Sequence, residues 1–391
     1  MVLYCVNTAA SSGFEGVVQE KYPVMKQHKM SLRMVIGIFI VALIVFLIYI
    51  VNSPLRSMLN YAIFVQNIPM NSQGDNLRKP TEASPMELTT SGQVSIKNTR
   101  IQHQHPNKEP GIMFVQTSNE LDPSPLAMCS IESAARLNKK KTVYFFMRAF
   151  NGNASAYQEP EYKAIPLLSS FKNVVILPLN PRELFSDTPL AGWYEKVDPS
   201  KESYWFHVLA DGCRLALLWK YGGIYLDTDI ISIQPLDFEN FLCEESSNYA
   251  NNAALGFNRS HSFIKSCLKD FVEDYNGADW GHQGPKLMTR MLKKWCRTDD
   301  LDYFRNKKCK GILYLSSNWF YPVPYTDWEK IFEEDTWNGN DEIINEFSKT
   351  SGIHVWNFLS GRHEAHVKGS KSLIEYLFSK DCPTTYNSLR R

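Results

Sequence analysis

Residues 203–233 read SYWFHVLADGCRLALLWKYGGIYLDTDIISI, and this stretch decides the fold. Its first part is helical: at 100° per residue, Trp205, Val208, Leu209, Ala216 and Trp219 share one face. The opposite face carries His207, Asp211 and Arg214, at i, i+4 and i+7. Taken alone, that face is a solvated one with an Asp–Arg pair worth about a few tenths of a kcal/mol. Tyr221-Gly222-Gly223 ends the helix, glycine supplying the left-handed turn. Ile224-Tyr225-Leu226 reads as a strand with Asp227-Thr228-Asp229 at its carboxyl end, and Ile230 to Ile233 continue in extended form. Ligands of open α/β sheets bind outside the carboxyl ends of strands. Two carboxylates there, one residue apart, suit an oxygen-ligated Mn²⁺ or Mg²⁺ that holds phosphate oxygens. A bare Asp-x-Asp is common by chance; after a strand and an Asp-x-x-Arg helix ending in Tyr-Gly-Gly it is far more specific.

Outward from this stretch, strand and helix signals alternate. Gly111 to Val115, Thr142 to Met147 and Lys172 to Leu179 are short apolar runs of strand type, and Asp122-Pro-Ser-Pro125 opens a helix that runs to about Leu137. The alternation predicts an α/β domain with a largely parallel sheet. Downstream, Phe263, Ile264, Cys267, Leu268, Phe271, Val272 and Tyr275 make an amphipathic helix. Trp280-Gly-His-Gln-Gly-Pro285 precedes another, whose apolar face is Leu287, Met288, Met291, Leu292 and Trp295. A polar loop carrying His282 and Gln283 to a helix amino terminus suits a sugar or phosphate as well as it suits a plain turn over a buried Trp. Cys296 and Cys309 flank a polar loop that a disulfide can close. His354 stands alone in the apolar run His354-Val-Trp-Asn357, a setting in which histidine is more often structural than a ligand.

The chain has 391 residues, 42 basic and 41 acidic, so a net charge of +1 gives no bias toward nucleic acid. Its parts are unlike. Met34 to Val51 holds no charge and, as a helix, spans about 27 Å, close to a bilayer core. Lys21, Lys26, Lys29 and Arg33 precede it and Arg56 alone closely follows. This predicts a cytosolic tail (1–33), an uncleaved signal anchor (34–51) and a lumenal remainder, a single-pass type II membrane protein. Residues 52–110 contain six prolines and neither Cys nor Trp, and read as a flexible stem. All nine tryptophans lie between Trp193 and Trp356 and seven of eight cysteines follow residue 128, which places one folded domain at 111–391. Seven lumenal cysteines leave at least one free thiol, expected at Cys213 in its apolar helix. In a lumen, the sequons at Asn153 and Asn258 become candidate glycosylation sites.

At Asp211-Gly-Cys-Arg214 and Tyr-Gly-Gly-Ile-Tyr-Leu-Asp227-Thr-Asp229 the sequence resembles the glycosyltransferases that share a D-x-D sugar-binding region with mannosyltransferases. Asn252-Ala-Ala-Leu, Trp280-Gly-His-Gln-Gly-Pro285, Lys293-Lys-Trp-Cys296, His354-Val-Trp-Asn357 and Cys382-Pro-Thr-Thr385 narrow the likeness. They resemble the lactosylceramide α-1,4-galactosyltransferase and α-1,4-N-acetylglucosaminyltransferase family, over essentially all of 111–391. The resemblance implies a retaining α-1,4-hexosyltransferase of GT-A (Rossmann-like) fold, anchored in the Golgi membrane. It implies Mn²⁺ or Mg²⁺ and UDP-galactose or UDP-N-acetylgalactosamine as donor. As partners it implies a glycosphingolipid acceptor, and a homodimer or a complex with other Golgi glycosyltransferases. Carried over by residue, Asp229 binds metal and Asp227 the metal or the nucleotide ribose. Asp211 and Arg214 grip donor hydroxyls and phosphate, with Thr117 a further donor contact. His354 matches a metal-ligating histidine, and Gln283 an amide beside the anomeric carbon. Transfer of N-acetylglucosamine to glycoprotein glycans and a non-catalytic Golgi sugar-binding role are the alternatives. A strand-Asp-x-Asp phosphatase of haloacid dehalogenase type, with Asp227 as nucleophile, fits less well, because that motif belongs near a domain start.

Overall fold

The computed structural model describes residues 110–153, 163–335, 347–361 and 367–389. The tail and anchor expected at 1–51, and all but the last residue of the stem expected at 52–110, lie outside them, and no described helix is long and apolar enough to cross a membrane. In chain order the first half runs β1 (Gly111–Gln116), α1 (Pro125–Leu137), β2 (Val143–Met147), α2 (Ala164–Ser169), β3 (Val174–Pro178), α3 (Pro181–Phe185), α4 (Leu190–Lys196), α5 (Trp205–Tyr221), β4 (Gly223–Leu226) and β5 (Ile230–Ser232). There follow β6 (Phe241–Ser246), β7 (Tyr249–Phe257), α6 (Ser262–Glu273), α7 (Pro285–Cys296), β8 (Lys307–Cys309), β9 (Ile312–Leu315), β10 (Gly352–His354), α8 (Asn357–Ser360), α9 (Leu373–Asp381) and α10 (Pro383–Ser388).

Eight strands form one sheet in the order β3-β2-β1-β4-β7-β6-β9-β8. The half from β3 to β4 is parallel throughout, but β7 runs antiparallel to both β4 and β6, and β8 to β9. The sheet is thus mixed, not largely parallel. The antiparallel part is built by β6 and β7, whose sequence FLCEES…YANNAALGF mixes polar residues into buried strands and so hides the strand signal. The central strands are buried on both faces. Ile112 and Phe114 point into one core with Phe145, Met147 and Leu226, while Met113 and Val115 join Tyr144, Phe146, Leu209 and Cys213 in the other. This is the period-2 alternation of a strand covered by helices on both sides.

Helix α5 packs against β1, β4 and β7 and delivers the chain directly into β4. The Gly-Gly junction is required by space and by backbone. Gly222 has φ +69°, and a Cβ there would lie 2.5 Å from the Arg259 nitrogen. Gly223 has φ +106°, and its Cβ would lie 2.3 Å from the Gly111 carbonyl oxygen of the neighbouring strand. No side chain fits where β4 slides beside β1.

The carboxyl-terminal segment is tied back in two ways. β10 pairs antiparallel with β5, matching His354 to Ile230 and Gly352 to Ser232. Cys382 bonds Cys129 of α1, and the buried Glu132 one turn on accepts from the Thr384 and Thr385 backbone N–H groups and the Thr385 hydroxyl. A carboxylate there satisfies donors at the start of α10 that the helix leaves open. Cys296 and Cys309 form the expected second disulfide, and Cys213 is free and buried, as are Cys243 and Cys267. Asn258 of the second sequon is exposed in the turn between β7 and α6.

Candidate active site

Asp227 leaves the end of β4 with its backbone N–H donating to the Ala253 carbonyl of β7, 2.8 Å away. The chain turns at Thr228, and β5 carries the backbone on to meet β10. That ladder sets His354 against Asp229, Nε2 to Oδ1 at 3.4 Å. The Asp229 carbonyl accepts from the Val355 N–H at 2.9 Å, and its Oδ2 from the Asn357 N–H at 3.0 Å. Ligand atoms of Asp227, Asp229 and His354 all lie within 4.8 Å of one another. Two carboxylates and an imidazole so close form an O,O,N donor set that suits a divalent cation. Like-charge repulsion supports the fit: burial raises the Asp227 carboxyl pKa, and the Asp229 charge raises it further against the opposing Arg214. A cation between the carboxylates relieves that repulsion. The His354 Nδ1 is buried without a hydrogen-bond partner among the described residues.

On the polar face of α5 only His207 is exposed. Asp211 and Arg214 are buried, 7% and 5% exposed, and serve a network beneath the D-x-D. Arg214 meets both oxygens of Asp227, at 3.1 and 3.3 Å, and one of Asp211 at 3.3 Å, and donates to the Asn252 carbonyl at 2.6 Å. Its guanidinium lies 4.8 Å from the Tyr225 ring centre. Burial works against that charge, yet Asp227, Tyr225 and Asp211 outweigh it and raise its pKa above the ordinary value. Asp211 also accepts from the Asn252 amide at 2.7 Å. Burial pushes its carboxyl up to about 6 despite Arg214. Gly284 stands against this pair: a Cβ on it would sit 2.9 and 3.0 Å from the Asp211 oxygens and 3.0 Å from the Asn252 amide nitrogen.

The network separates the two aspartates. Asp227 Oδ1 accepts from the Tyr225 hydroxyl at 2.6 Å as well as facing Arg214, so its carboxylate is largely committed. Asp229 keeps Oδ1 turned to His354. Thr117 closes β1, and its hydroxyl donates to the Phe206 carbonyl of α5 at 2.9 Å. Gln283 is not brought into the cluster. It is buried, its amide donates to the Phe271 and Asp274 carbonyls at 2.9 and 3.1 Å, and its oxygen accepts from the Asn276 N–H at 3.1 Å. All of its polar groups are used in holding the loop between α6 and α7.

Sequence reasoning passed over Asn252, Tyr225, Asn357 and Tyr321 as parts of the site. Tyr225 and Asn252 were visible only as members of a strand and of a family motif. Tyr321 is buried with no partner for its hydroxyl among the described residues, its ring 5.4 Å from that of His354, and nothing in its local sequence marks it.

Two family models match the chain. Residues 124–248 match a glycosyltransferase sugar-binding region containing the DXD motif, and residues 256–389 an alpha 1,4-glycosyltransferase conserved region. The Homo sapiens alpha-1,4-N-acetylglucosaminyltransferase is 40% identical over 279 residues, 71% of this chain and 80% of that protein. The Homo sapiens lactosylceramide 4-alpha-galactosyltransferase is 44% identical over 283 residues, 71% of this chain and 77% of that protein. A solved galactosyltransferase, LgtC with donor and acceptor sugar analogs, superposes with a TM-score of 0.37 at 14% identity, over 72% of this chain and 96% of that one, a likeness too slight to argue from.

Proposed function

The chain belongs to the alpha-1,4-glycosyltransferase family of hexosyltransferases, and from that premise we propose that it moves galactose or N-acetylgalactosamine from a UDP-sugar to the non-reducing end of a glycosphingolipid. The reading includes a GT-A fold, a divalent cation, retention of the α configuration and a Golgi membrane setting with the domain lumenal. One observation carries it: Asp227, Asp229 and His354 converge directly above the buried Asp211–Arg214 pair.

A bound Mn²⁺ would be held by Asp229 and His354, with Asp227 beside them, and would supply positive charge to the diphosphate. Arg214 adds a fixed guanidinium next to it. It is locked by two carboxylates and a carbonyl, so it needs no reorganisation as negative charge grows on the departing diphosphate. The bond from the anomeric carbon to the diphosphate oxygen breaks, the sugar becomes oxocarbenium-like, and the acceptor hydroxyl attacks from the same face. Its proton passes to the departing phosphate oxygen, and attack from that face would retain the α configuration with no protein nucleophile. In this reading Asp211 and the Asn252 amide, bonded to each other beneath the cluster, orient donor hydroxyls.

The test compares Asp229→Asn and His354→Ala with the wild-type full chain, using Mn²⁺, three UDP-hexoses and a panel of glycolipids, followed by linkage analysis of the product. The wild type is expected to make an α-1,4 linkage. Both variants should stay folded and lose at least about a hundredfold in transfer, the scale of one removed charge-stabilising group. Wild-type rates in either variant would sink the assignment.

A further inference from the structure

The Trp280-Gly-His-Gln-Gly-Pro285 segment retains a feature that the donor site leaves unused. Trp280 is 36% exposed, although its indole is surrounded by aromatic rings. It lies 4.4 Å from Phe358, 4.7 Å from His207 and 5.1 Å from Tyr204, centre to centre. His207 meets Phe358 edge-on at 5.3 Å. Phe206, 49% exposed, and Leu359, 36% exposed, adjoin these rings in the chain. Large apolar side chains left open on neighbouring segments mark a binding surface rather than scattered exposure.

This group sits at the edge of the site. Phe358 follows Asn357, whose N–H holds Asp229. His207 lies one helical turn before Asp211 on the same face of α5, a rise of about 6 Å. The loop that presents Trp280 is rigid. Lys286 bonds Asp279 at 2.6 Å, Arg290 donates to the His282 carbonyl at 2.8 Å, and the His282 ring pairs with the Asp274 carbonyl at 2.9 Å. Together with the buried Gln283 amide, these bonds make the polar part of the motif a mount for the indole.

We propose that Trp280, Phe358 and His207 form the platform that receives the terminal hexopyranose of the acceptor and turns its hydroxyl toward the donor site. The C–H-rich face of a pyranose carries weakly positive hydrogens, which suit the negative face of an aromatic ring, and His207 of the platform lies one helical turn from Asp211. A patch that merely dips into a bilayer does not need an imidazole at its centre or ion pairs beneath its loop. The inference rests on the transferase reading above and deepens it to the acceptor side.

The test uses the full chain in detergent, Mn²⁺ and its preferred UDP-hexose, with free lactose and vesicle-borne lactosylceramide as acceptor probes. Trp280→Ala and Phe358→Ala should raise KM for both acceptors at least tenfold, with kcat within about threefold, and Trp280→Phe should restore KM to within about threefold. Calorimetric affinity for UDP in Mn²⁺ should stay within twofold of wild type, which also reports that the variants fold. An unchanged KM for free lactose overturns the platform. A rise confined to vesicle-borne acceptor overturns it in favour of membrane docking, and a loss of UDP affinity in all three variants overturns it in favour of a donor-site or scaffold role. A wild-type chain that transfers to neither probe, nor to any other glycan, overturns the transferase reading and this inference with it. Transfer with unaltered KM removes the platform alone.

Discussion

Replacing Gly284 by alanine puts a methyl group against the Asp211 carboxylate. The new Cβ would lie 2.9 and 3.0 Å from its oxygens and 3.0 Å from the Asn252 amide nitrogen. Ordinary van der Waals contact is about 3.5 Å, so these groups must yield by about half an ångström. Neither has slack. Asp211 is held at 2.7 Å by Asn252 and at 3.3 Å by Arg214, and the latter pair would open beyond hydrogen-bond range. Overpacking of this kind costs about 1–3 kcal/mol. Expressed in donor use, that is roughly a 5-fold to 150-fold fall in kcat/KM for the UDP-sugar, with a smaller effect on melting, because the strain falls on the site. Gly192→Ala in α4 is the control: nothing lies within 4 Å of its Cβ, and a helical Gly→Ala change should stabilise by up to about 1 kcal/mol. Donor kinetics and thermal melting of the two variants decide it. Gly284→Ala with wild-type kcat/KM and melting temperature refutes the tight apposition of Gly284 and Asp211.

Asp381 is buried, one of its carboxylate oxygens has no partner among the described residues, and burial pushes its pKa from 3.8 up to about 7, against Lys380 and Arg136. The unfolded chain therefore ionises first, and stability falls as pH rises between 3.8 and about 7. Asp381→Asn should gain up to about 4 kcal/mol over wild type at pH 8, the gap closing toward pH 4 in denaturant melts; a gap independent of pH refutes the buried charge. Replacing Cys129 and Cys382 by serine frees a loop of 253 residues' separation, and loop-closure entropy sets an upper loss of about 5 kcal/mol. A melting temperature unmoved by that double substitution would show that Glu132 and the packing of α9 and α10 hold the carboxyl terminus without it.

The parallel half of the sheet was legible because its strands are continuous apolar runs, and the helix before the D-x-D because its faces separate cleanly. The sign of that helix's polar face was not. Nothing in His207, Asp211 and Arg214 tells which of them meet water and which another strand, and only β7, delivering Asn252, buries Asp211 and Arg214 while His207 stays exposed. β7 itself was obscured by Asn251 and Asn252, polar residues kept in a strand to serve the site. His354 reaches Asp229 through a strand pairing across more than a hundred residues, a register that no local pattern encodes. Gln283 shows the reverse: its motif drew attention to the amide, while the structure gives that amide to the backbone.

The pairing of β5 with β10 also bears on how the molecule is made. Protein chains emerge amino end first and fold largely in that order. By Leu226 the strands of the parallel half exist, and by Asp229 both carboxylates do, but the histidine that faces them arrives only with β10. Cys129 waits longer still, for Cys382. A chain that ends before β10 thus carries an open Cys129 thiol and both carboxylates without the histidine, and one that ends between β10 and Cys382 has all three residues with the thiol still open. The cluster of Asp227, Asp229 and His354 is therefore assembled only after β10, and the disulfide closes last.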